Sequence, residues 1–511
     1  MPRNSTIATI DFPGWAKGLN RDADPSQLGV DESPDALNVD FGERGSVTRR
    51  RGYTAFSETI INDTPRLMLS WNILGGTERM FYVAEDGSLF FGSSAPLTDS
   101  TYDIGAATAT SSGRSVGSSS LEDLLFFTGL GATTPLQYDG TSWTQLTATI
   151  FDGTASRFPV AAHLQTHHER IFAANVTSGA TRHASRVHWS TALTPTTWPA
   201  SNYIDFDPDD GQEITALATL GESLVVFKNR SVQLLVGKSE DSFTRYKIES
   251  ALGTESPRSI VPFGGSLFFF DANTGVWRFD GAAFVPLDEG LNRYILAGQN
   301  RANAYKAHGY IYRNKYYLSI PWGAVTYPSR TFVFDLRTQA KTEYDYGVFA
   351  SCVFGNVLYG GGPRDATGIY LLHNGLTDDG TAVSAYMRTS WIVPEGAPFS
   401  KFRTRRIDTV WTAIGNFTPA LGQYRDYLTS SYMFEQDIDT DPGGAAYGSA
   451  VYGTAVFGAS VEEVLSRTTG WGNARWRAVQ LKVSSVGAAD DWELNNVAMV
   501  VSSLPRVRGE I

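Results

Sequence analysis

Three short stretches of this chain gather the residue types that do chemistry. His163-Leu-Gln-Thr-His-His-Glu-Arg170 holds three of the seven histidines, and on a helix His163 and His167 would share a face, as zinc ligands do. The order is not His-Glu-x-x-His, no third ligand is evident, and Arg170 to Ala174 reads as the start of a strand. These imidazoles are expected on a loop or sheet edge, without a metal. Asp205-Phe-Asp-Pro-Asp-Asp-Gly211, with Glu213 beyond, places oxygens at alternate positions that could converge on calcium. Its glycine is seventh from Asp205, where an EF-hand has it sixth, and Ala216 stands where a bidentate glutamate belongs. A solvated acidic turn is the expectation, with calcium as the open alternative. Cys352 is the single cysteine. Its alternating neighbours, Phe349-Ala-Ser-Cys-Val-Phe354, predict a buried strand thiol, and one cysteine excludes an intramolecular disulfide or a multi-cysteine zinc site.

Other reactive signatures are missing from the text. There is no phosphate-cradling Gly-rich Lys motif, no Gly-x-Ser-x-Gly and no nucleotide fingerprint. Glycoside hydrolysis needs two carboxylates across a pocket, a pairing that sequence does not display. Asp271-Ala-Asn-Thr-Gly-Val-Trp277 is a distant, single echo of the Ser-x-Asp-x-Gly-x-Thr-Trp turns of sialidase-like propellers. No enzyme, catalytic residue or cofactor is expected. The candidate contact residues are aromatic instead. In Tyr447-Gly-Ser-Ala-Val-Tyr-Gly-Thr-Ala-Val-Phe-Gly458 the unit Aro-Gly-Xaa-Ala-Val recurs every five residues, which is neither the strand nor the helix period. Tyr447, Tyr452 and Phe457 either form an exposed contact row or tuck back onto the domain that carries them.

Charge bounds the partners. The net charge is −11 and the only basic blocks are Arg49-Arg-Arg51 and Arg403-Thr-Arg-Arg406. A protein that grips nucleic acid normally shows a basic face, whereas an acidic one lets DNA pass without sticking. The first ten residues hold no apolar core long enough for a signal peptide, and no later run approaches a membrane span. Synthesis as a soluble protein in a cytoplasm is expected.

The elements that must position these residues are strands. With 50 Gly, 23 Tyr, 29 Phe and only 19% charged residues, the composition suits many short strands and tight turns, so the fold is read as all-β. Gly265 to Leu287 reads as strand, turn at Asn273-Thr-Gly275, strand, turn at Asp280-Gly281, strand. Variants open near Met80, Leu124, Arg170, Ser223, Leu267, Tyr310 and Val357, a spacing of roughly 44 to 52 residues that predicts a β-propeller of about six or seven blades. Residues 93–120, rich in Ser, Thr, Gly and Ala, are expected to be a polar blade with long loops. Apolar spacing over 288–308 predicts one short helix on the propeller rim. Beyond Asp378-Asp-Gly380 the repeat stops but strands continue, which predicts a β-sandwich. The division is thus an extended N-terminal arm at 1–35, a propeller at 36–379 whose first blade opens with the hairpin of residues 36–53, a sandwich-like domain at 380–505, and a tail at 506–511.

Several passages are also familiar. Asp24-Pro-Ser-Gln-Leu-Gly-Val-Asp-Glu-Ser-Pro-Asp-Ala-Leu-Asn-Val-Asp-Phe41 followed by Gly45-Ser-Val-Thr-Arg-Arg-Arg-Gly-Tyr53 resembles the opening of tail proteins of double-stranded DNA bacteriophages. Gly211 to Arg230 and Leu252 to Val261 carry similar likenesses, and the resemblance covers nearly the whole chain. The nozzle, or tail tubular, proteins of short-tailed phages are the family it resembles. The resemblance implies a structural virion component: a homo-oligomeric ring, a hexamer in that family, around the DNA ejection channel. It also implies docking to the tail adaptor or portal-proximal proteins and to tail fibres, and passage of DNA without specific binding. The arm at 1–35 would reach a neighbour or the adaptor. A receptor-binding tail protein reading a cell-surface glycan through Tyr447, Tyr452 and Phe457, a tail-tip or baseplate protein of a long-tailed phage, and a glycan-cleaving propeller are the alternative readings.

Overall fold

A computed structural model of the 511-residue chain describes residues 7–504 apart from 13, 57–62, 109, 132–133, 149–156, 179–180, 249–250, 363–367, 395–399, 414–417, 431, 439–462, 470–474 and 489. Five four-stranded antiparallel sheets and two six-stranded ones follow one another as meanders. Blades 1 to 6 span residues 65–103, 117–145, 160–205, 214–247, 261–286 and 308–344, and blade 7 begins at Ala350. Gly265 to Leu287 forms the strands Ser266–Asp271, Gly275–Phe279 and Phe284–Pro286 of blade 5. The Asp271 carboxylate accepts from the Asn273 N–H at 2.8 Å to shape the first turn. Gly275 has φ +113°, and a Cβ there would meet the Asp288 and Asn292 side chains at 2.2 Å. Only glycine fits that turn.

The ring is closed by packing. Second strands are apolar on both faces because each is covered by the preceding and following blade; Ser266–Asp271 is buried at every position. Separate hydrophobic clusters fill the seams between blades 1 and 2, 2 and 3, 3 and 4, and 4 and 5. A larger one fills the seam between 5 and 6, a tyrosine-rich one that between 6 and 7, and the last joins blade 7 to blade 1 through Met68, Tyr82, Cys352 and Tyr359. The innermost strand of blade 7, Ala350–Phe354, lies against that of blade 1, Pro65–Trp71. This closed radial order makes the fold a seven-bladed β-propeller.

Blade 7 is completed from the other end of the chain. After Ala350–Phe354, Val357–Gly361 and Ile369–Leu372, its fourth strand is Tyr53–Ala55, antiparallel to Ile369–Leu372. Residues 36–49 do not open blade 1, contrary to the sequence reading. Val39–Phe41 pairs with Val47–Arg49, which in turn pairs with Trp492–Ser503, and Asp35–Leu37 pairs with Ala385–Arg388. Alternating polarity marks a strand without naming its partner, and here the partners outside the hairpin lie more than 300 residues away.

Two sheets stack beside the propeller. One runs Glu463–Thr469, Phe402–Ala413, Trp492–Ser503, Val47–Arg49, Val39–Phe41, with Ile7–Phe12 on the free side of Trp492–Ser503. The other runs Asp35–Leu37, Ala385–Arg388, Val479–Ser485, Ala420–Arg425, Phe434–Asp437. Trp411, Trp476, Trp492 and Ile407 fill the sandwich and continue into the seam between blades 5 and 6. The arm is woven into this body. Ile7–Phe12 is a sandwich strand, Trp15 is wholly buried, and Gly18–Leu19 and Glu32–Ser33 extend blade 6 beyond Lys341–Tyr344. An arm free to reach a neighbour is therefore corrected for the residues from Ile7 on.

The expected helix is Asn292–Gly298. It sits in the propeller–sandwich junction rather than on the outer rim, because Leu291 and Ile295 face the same cluster as Phe12 and Trp15. Residues 98–103 and 117–121 of the polar stretch are the outer strand of blade 1 and the inner strand of blade 2.

Candidate functional site

The passage Arg49-Arg-Arg-Gly-Tyr53 is the joint of the molecule. Arg50 is 1% exposed, and its guanidinium donates to both carboxylate oxygens of Asp378, at 2.8 and 2.6 Å, and to Asp345 Oδ1 at 3.0 Å. Nε donates to Asn38 Oδ1 at 2.8 Å, and the cation lies 4.7 Å from the centre of the Tyr346 ring. Burial alone would lower its pKa. The hydrogen bonds and charge of Asp378 outweigh burial and raise it, so Arg50 is a permanent cation. Planar, two-point pairing of this kind is what arginine does and lysine does not.

Its neighbours point elsewhere. Arg49 donates to the carbonyls of Gly487 and Asp490 in the sandwich, at 2.8 and 2.6 Å, and to Leu376 in the segment leaving the propeller, at 3.0 Å. Arg51 pairs with Asp491 at 2.8 Å. Gly52 lets the backbone through: a Cβ would meet the Thr377 carbonyl oxygen at 1.9 Å. Three consecutive arginines thus hold the sandwich, the linker and the outer strand of blade 7 together. Arg49 and Arg50 are engaged inside the protein, whereas Arg51 makes its ion pair at the surface.

A second network, unseen in the sequence, lies at the same junction. Arg21 bridges Asp35 at 2.8 Å and the buried Glu343 at 3.1 Å and covers Tyr294, 4.4 Å from the ring centre. Burial raises the pKa of Glu343, against the pull of Arg21 and Arg330. Asp22 accepts from the N–H groups of Arg293 and Tyr294, at 3.0 and 3.1 Å, and caps the helix Asn292–Gly298. The acidic, proline-containing text at 24–35 was the available signal that this arm matters, but its partners were beyond local reading.

The acidic turn is ion-paired rather than freely solvated. Asp205 meets Arg186 at 2.7 Å, and Asp207 meets Arg245 and Lys247 at 3.1 and 3.0 Å. Asp210 holds the buried Lys228 ammonium at 2.8 Å, with the Phe206 carbonyl at 2.7 Å. Hydrogen bonding from Arg186 and from Lys247 keeps the Asp205 and Asp207 carboxyls below their ordinary range. These oxygens already have cations, and among the described residues no group of three His, Cys, Asp or Glu is placed to hold a metal. A polar cavity of about 580 Å³ beside the turn is lined by Arg182, Arg186, Asp205 and Glu213, where Arg182 and Glu213 are themselves paired.

His163 and His167 are not on a loop or blade edge. Both lie on Val160–His167, the innermost strand of blade 3, where spacing of four keeps them on one face. Only His168 is in the turn. Cys352 is buried on Ala350–Phe354, and burial pushes its thiol up to about 12. Tyr447, Tyr452 and Phe457 lie outside the described residues.

No protein-family model matches the chain, and no curated protein matches it. Among solved structures it is similar to the computationally designed Ika8 protein, at 12% identity and TM-score 0.36, over 62% of this chain and 100% of that one. It is also similar to BBS1N in its complex with ARL6DN, at 10% identity and TM-score 0.38, over 63% of this chain and 97% of that one. At those scores the propeller rests on its own sheet order and seams.

Proposed function

We propose that the protein is a structural, non-catalytic component of a bacteriophage tail. It forms a ring, or nozzle, around the DNA ejection channel and docks to the tail adaptor. The observation that carries this reading is the Arg49 to Tyr53 joint. The residues whose text resembles phage tail openings are those that lock propeller, linker and sandwich into one block. A channel wall under DNA pressure needs stiffness more than reactivity, and buried bidentate ion pairs with a strand contributed from the far end of the chain supply it.

Electrostatics support the same role. The chain carries −11 overall, and two of the three arginines in its Arg49 to Arg51 block are buried. A ring of such subunits presents DNA with a surface that repels phosphates and does not hold them. Closed cyclic symmetry follows from the task of encircling a duplex, and six copies follow from the family resemblance alone.

Mass photometry with negative-stain imaging of the purified chain tests the proposal. Closed rings with an axial hole, six-fold on the family expectation, are the expected particles. A stable monomer or trimer that binds host glycans would overturn it in favour of receptor recognition.

A further inference from the structure

The acidic turn faces a cavity built around two clamped arginines. Arg182 and Arg186 both lie on Thr181–Trp189, the third strand of blade 3, and line the polar cavity of about 580 Å³ together with Asp205, Gln212 and Glu213. Asp205 ends the outer strand Tyr203–Asp205, and Glu213 immediately precedes blade 4. Nε and Nη2 of Arg186 donate in parallel to the two oxygens of Asp205, at 2.7 and 2.9 Å, and the guanidinium lies over the Tyr203 ring, 3.8 Å from its centre. Arg182 pairs with Glu213 through Nη2.

The second pair is held from behind by unusual backbone. Between Ala174 and Val176 the pairing with Thr181–Trp189 is irregular, and Asn175 there takes φ +55° although it is not glycine. Such a conformation is uncommon outside glycine and persists where its surroundings fix it. The wholly buried Asn175 side chain accepts from Arg182 Nε at 2.8 Å and donates to Glu213 at 3.2 Å. The buried Ser112 hydroxyl accepts from Arg182 Nη2 at 2.9 Å and donates to Glu213 at 3.0 Å. Each arginine thus has Nε and Nη2 engaged, while its Nη1 is neither bonded within the protein nor buried. The side chains of Asp205 and Glu213 are 34% and 23% exposed, and their oxygens keep lone pairs for further donors.

We propose that this cavity binds a neutral sugar, its hydroxyls accepting from Nη1 of Arg182 and Arg186 and donating to the carboxylates of Asp205 and Glu213. A hydroxyl both donates and accepts, so one kind of group answers both kinds of partner. The two cations and two carboxylates sum to no net charge. Burial, then the charge of Arg186, lowers the pKa of the His183 ring in the wall, which adds no charge at neutral pH. An anionic ligand gains the guanidinium N–H groups but confronts the carboxylates, and a cationic one meets the reverse. The volume falls within the roughly 300–1,000 Å³ of small-molecule sites. Both carboxylates are ion-paired, so neither is placed as the proton donor that glycoside hydrolysis needs, and the assignment is binding rather than cleavage. All these residues belong to blades 3 and 4 and the turn before blade 2. The site is therefore complete in one subunit, and particle symmetry, not sugar binding, decides whether a ring forms.

An array of neutral, anionic and cationic glycans probed with the labelled full-length protein tests this, followed by isothermal titration calorimetry with lactose, maltose, glucuronic acid and glucosamine. Saturable binding of neutral glycans is expected, with charged sugars weaker by about 10-fold or more, the worth of one charge-assisted hydrogen bond. Asp205→Asn leaves the cavity with a net positive charge and should weaken neutral sugars by about 10-fold while turning the preference towards glucuronic acid. Arg182→Gln leaves it negative and should turn the preference towards glucosamine. Both positions are partly exposed, so the two variants should keep the wild-type urea midpoint to within the small range of surface changes. A merely structural role for these residues would weaken all sugars alike and switch no preference. No saturable binding of any neutral glycan by the wild-type protein, an equal or stronger affinity for charged sugars, or an unchanged charge preference in both variants overturns the proposal.

Discussion

Asp378→Ala is the most informative single perturbation of the joint. It removes two charge-assisted hydrogen bonds to Arg50, of 2.8 and 2.6 Å, each worth about 1.5–3 kcal/mol. Asp345 remains at 3.0 Å, but its side chain is 38% exposed, so water screens its pull. The guanidinium itself is 0% exposed and cannot recover its lost partners from solvent. The expected loss is about 3–5 kcal/mol, that of a buried ion stripped of its partner. Arg50→Met should cost less, because Asp378 is 15% exposed and can be hydrated when orphaned. The double variant should be less damaged than Asp378→Ala alone, with a coupling of about 1–3 kcal/mol. Urea unfolding supplies the energies, and hydrogen exchange at Tyr53–Ala55 shows whether the outer strand of blade 7 loosens first. A cost below about 1 kcal/mol for Asp378→Ala, or strictly additive single changes, would refute the view that this pair locks the units together.

Three further outcomes are expected. Trp15→Ala should destabilise the isolated chain by about 3–5 kcal/mol in urea titrations, because the indole is wholly buried; near-zero cost would return the arm to the role of a free tether. His163, His188 and His308 are buried neutral, mainly through desolvation, with pKa values of about 3 against an ordinary 6.5. Their unfolded forms take up protons first, so stability should fall as pH drops from 6.5 towards 3, each contributing a slope of up to about 1.4 kcal/mol per pH unit; denaturation midpoints at pH 7.5 and 5.5 read this, and equal values would contradict it. Millimolar calcium should leave the melting temperature unchanged, because Asp205, Asp207 and Asp210 are held by Arg186, Lys247 and Lys228; a rise with calcium that EDTA reverses would show that the turn releases its cations for a metal.

What could be read without coordinates follows from where each signal is stored. Met80, Leu124, Arg170, Ser223, Leu267 and Val357 all fall on second strands of blades, and those strands are legible because neighbours cover both their faces. Tyr310 lies on the first strand of blade 6, His308–Tyr312, because that blade is tyrosine-rich on both inner strands. The hairpin at 36–49 was legible as strands but not as sandwich strands, since pairing with Trp492–Ser503 leaves no local trace. Ion pairs behave alike: nothing near Arg50 marks Asp378, 328 residues on, as its partner. That His163 of blade 3 and Arg258, on the turn before blade 5, line one cavity follows only once the ring is closed, which the 45-residue rhythm does not convey locally.

The use of Tyr53–Ala55 as the last strand of blade 7 imposes an order on biosynthesis. That strand leaves the ribosome before any blade exists, yet its partner Ile369–Leu372 follows more than 300 residues later. Ile7–Phe12 waits longer still, for Trp492–Ser503. Blades 1 to 6 can form in succession behind the ribosome, each on its predecessor, while Ile7–Phe12, Asp35–Leu37 and Tyr53–Ala55 still lack their partners. Closure of the ring and assembly of the sandwich are then one late event, possible only when the chain is nearly complete. A prematurely terminated chain keeps an open propeller and bare strand edges and cannot reach the finished fold, so the topology itself acts as a check on length.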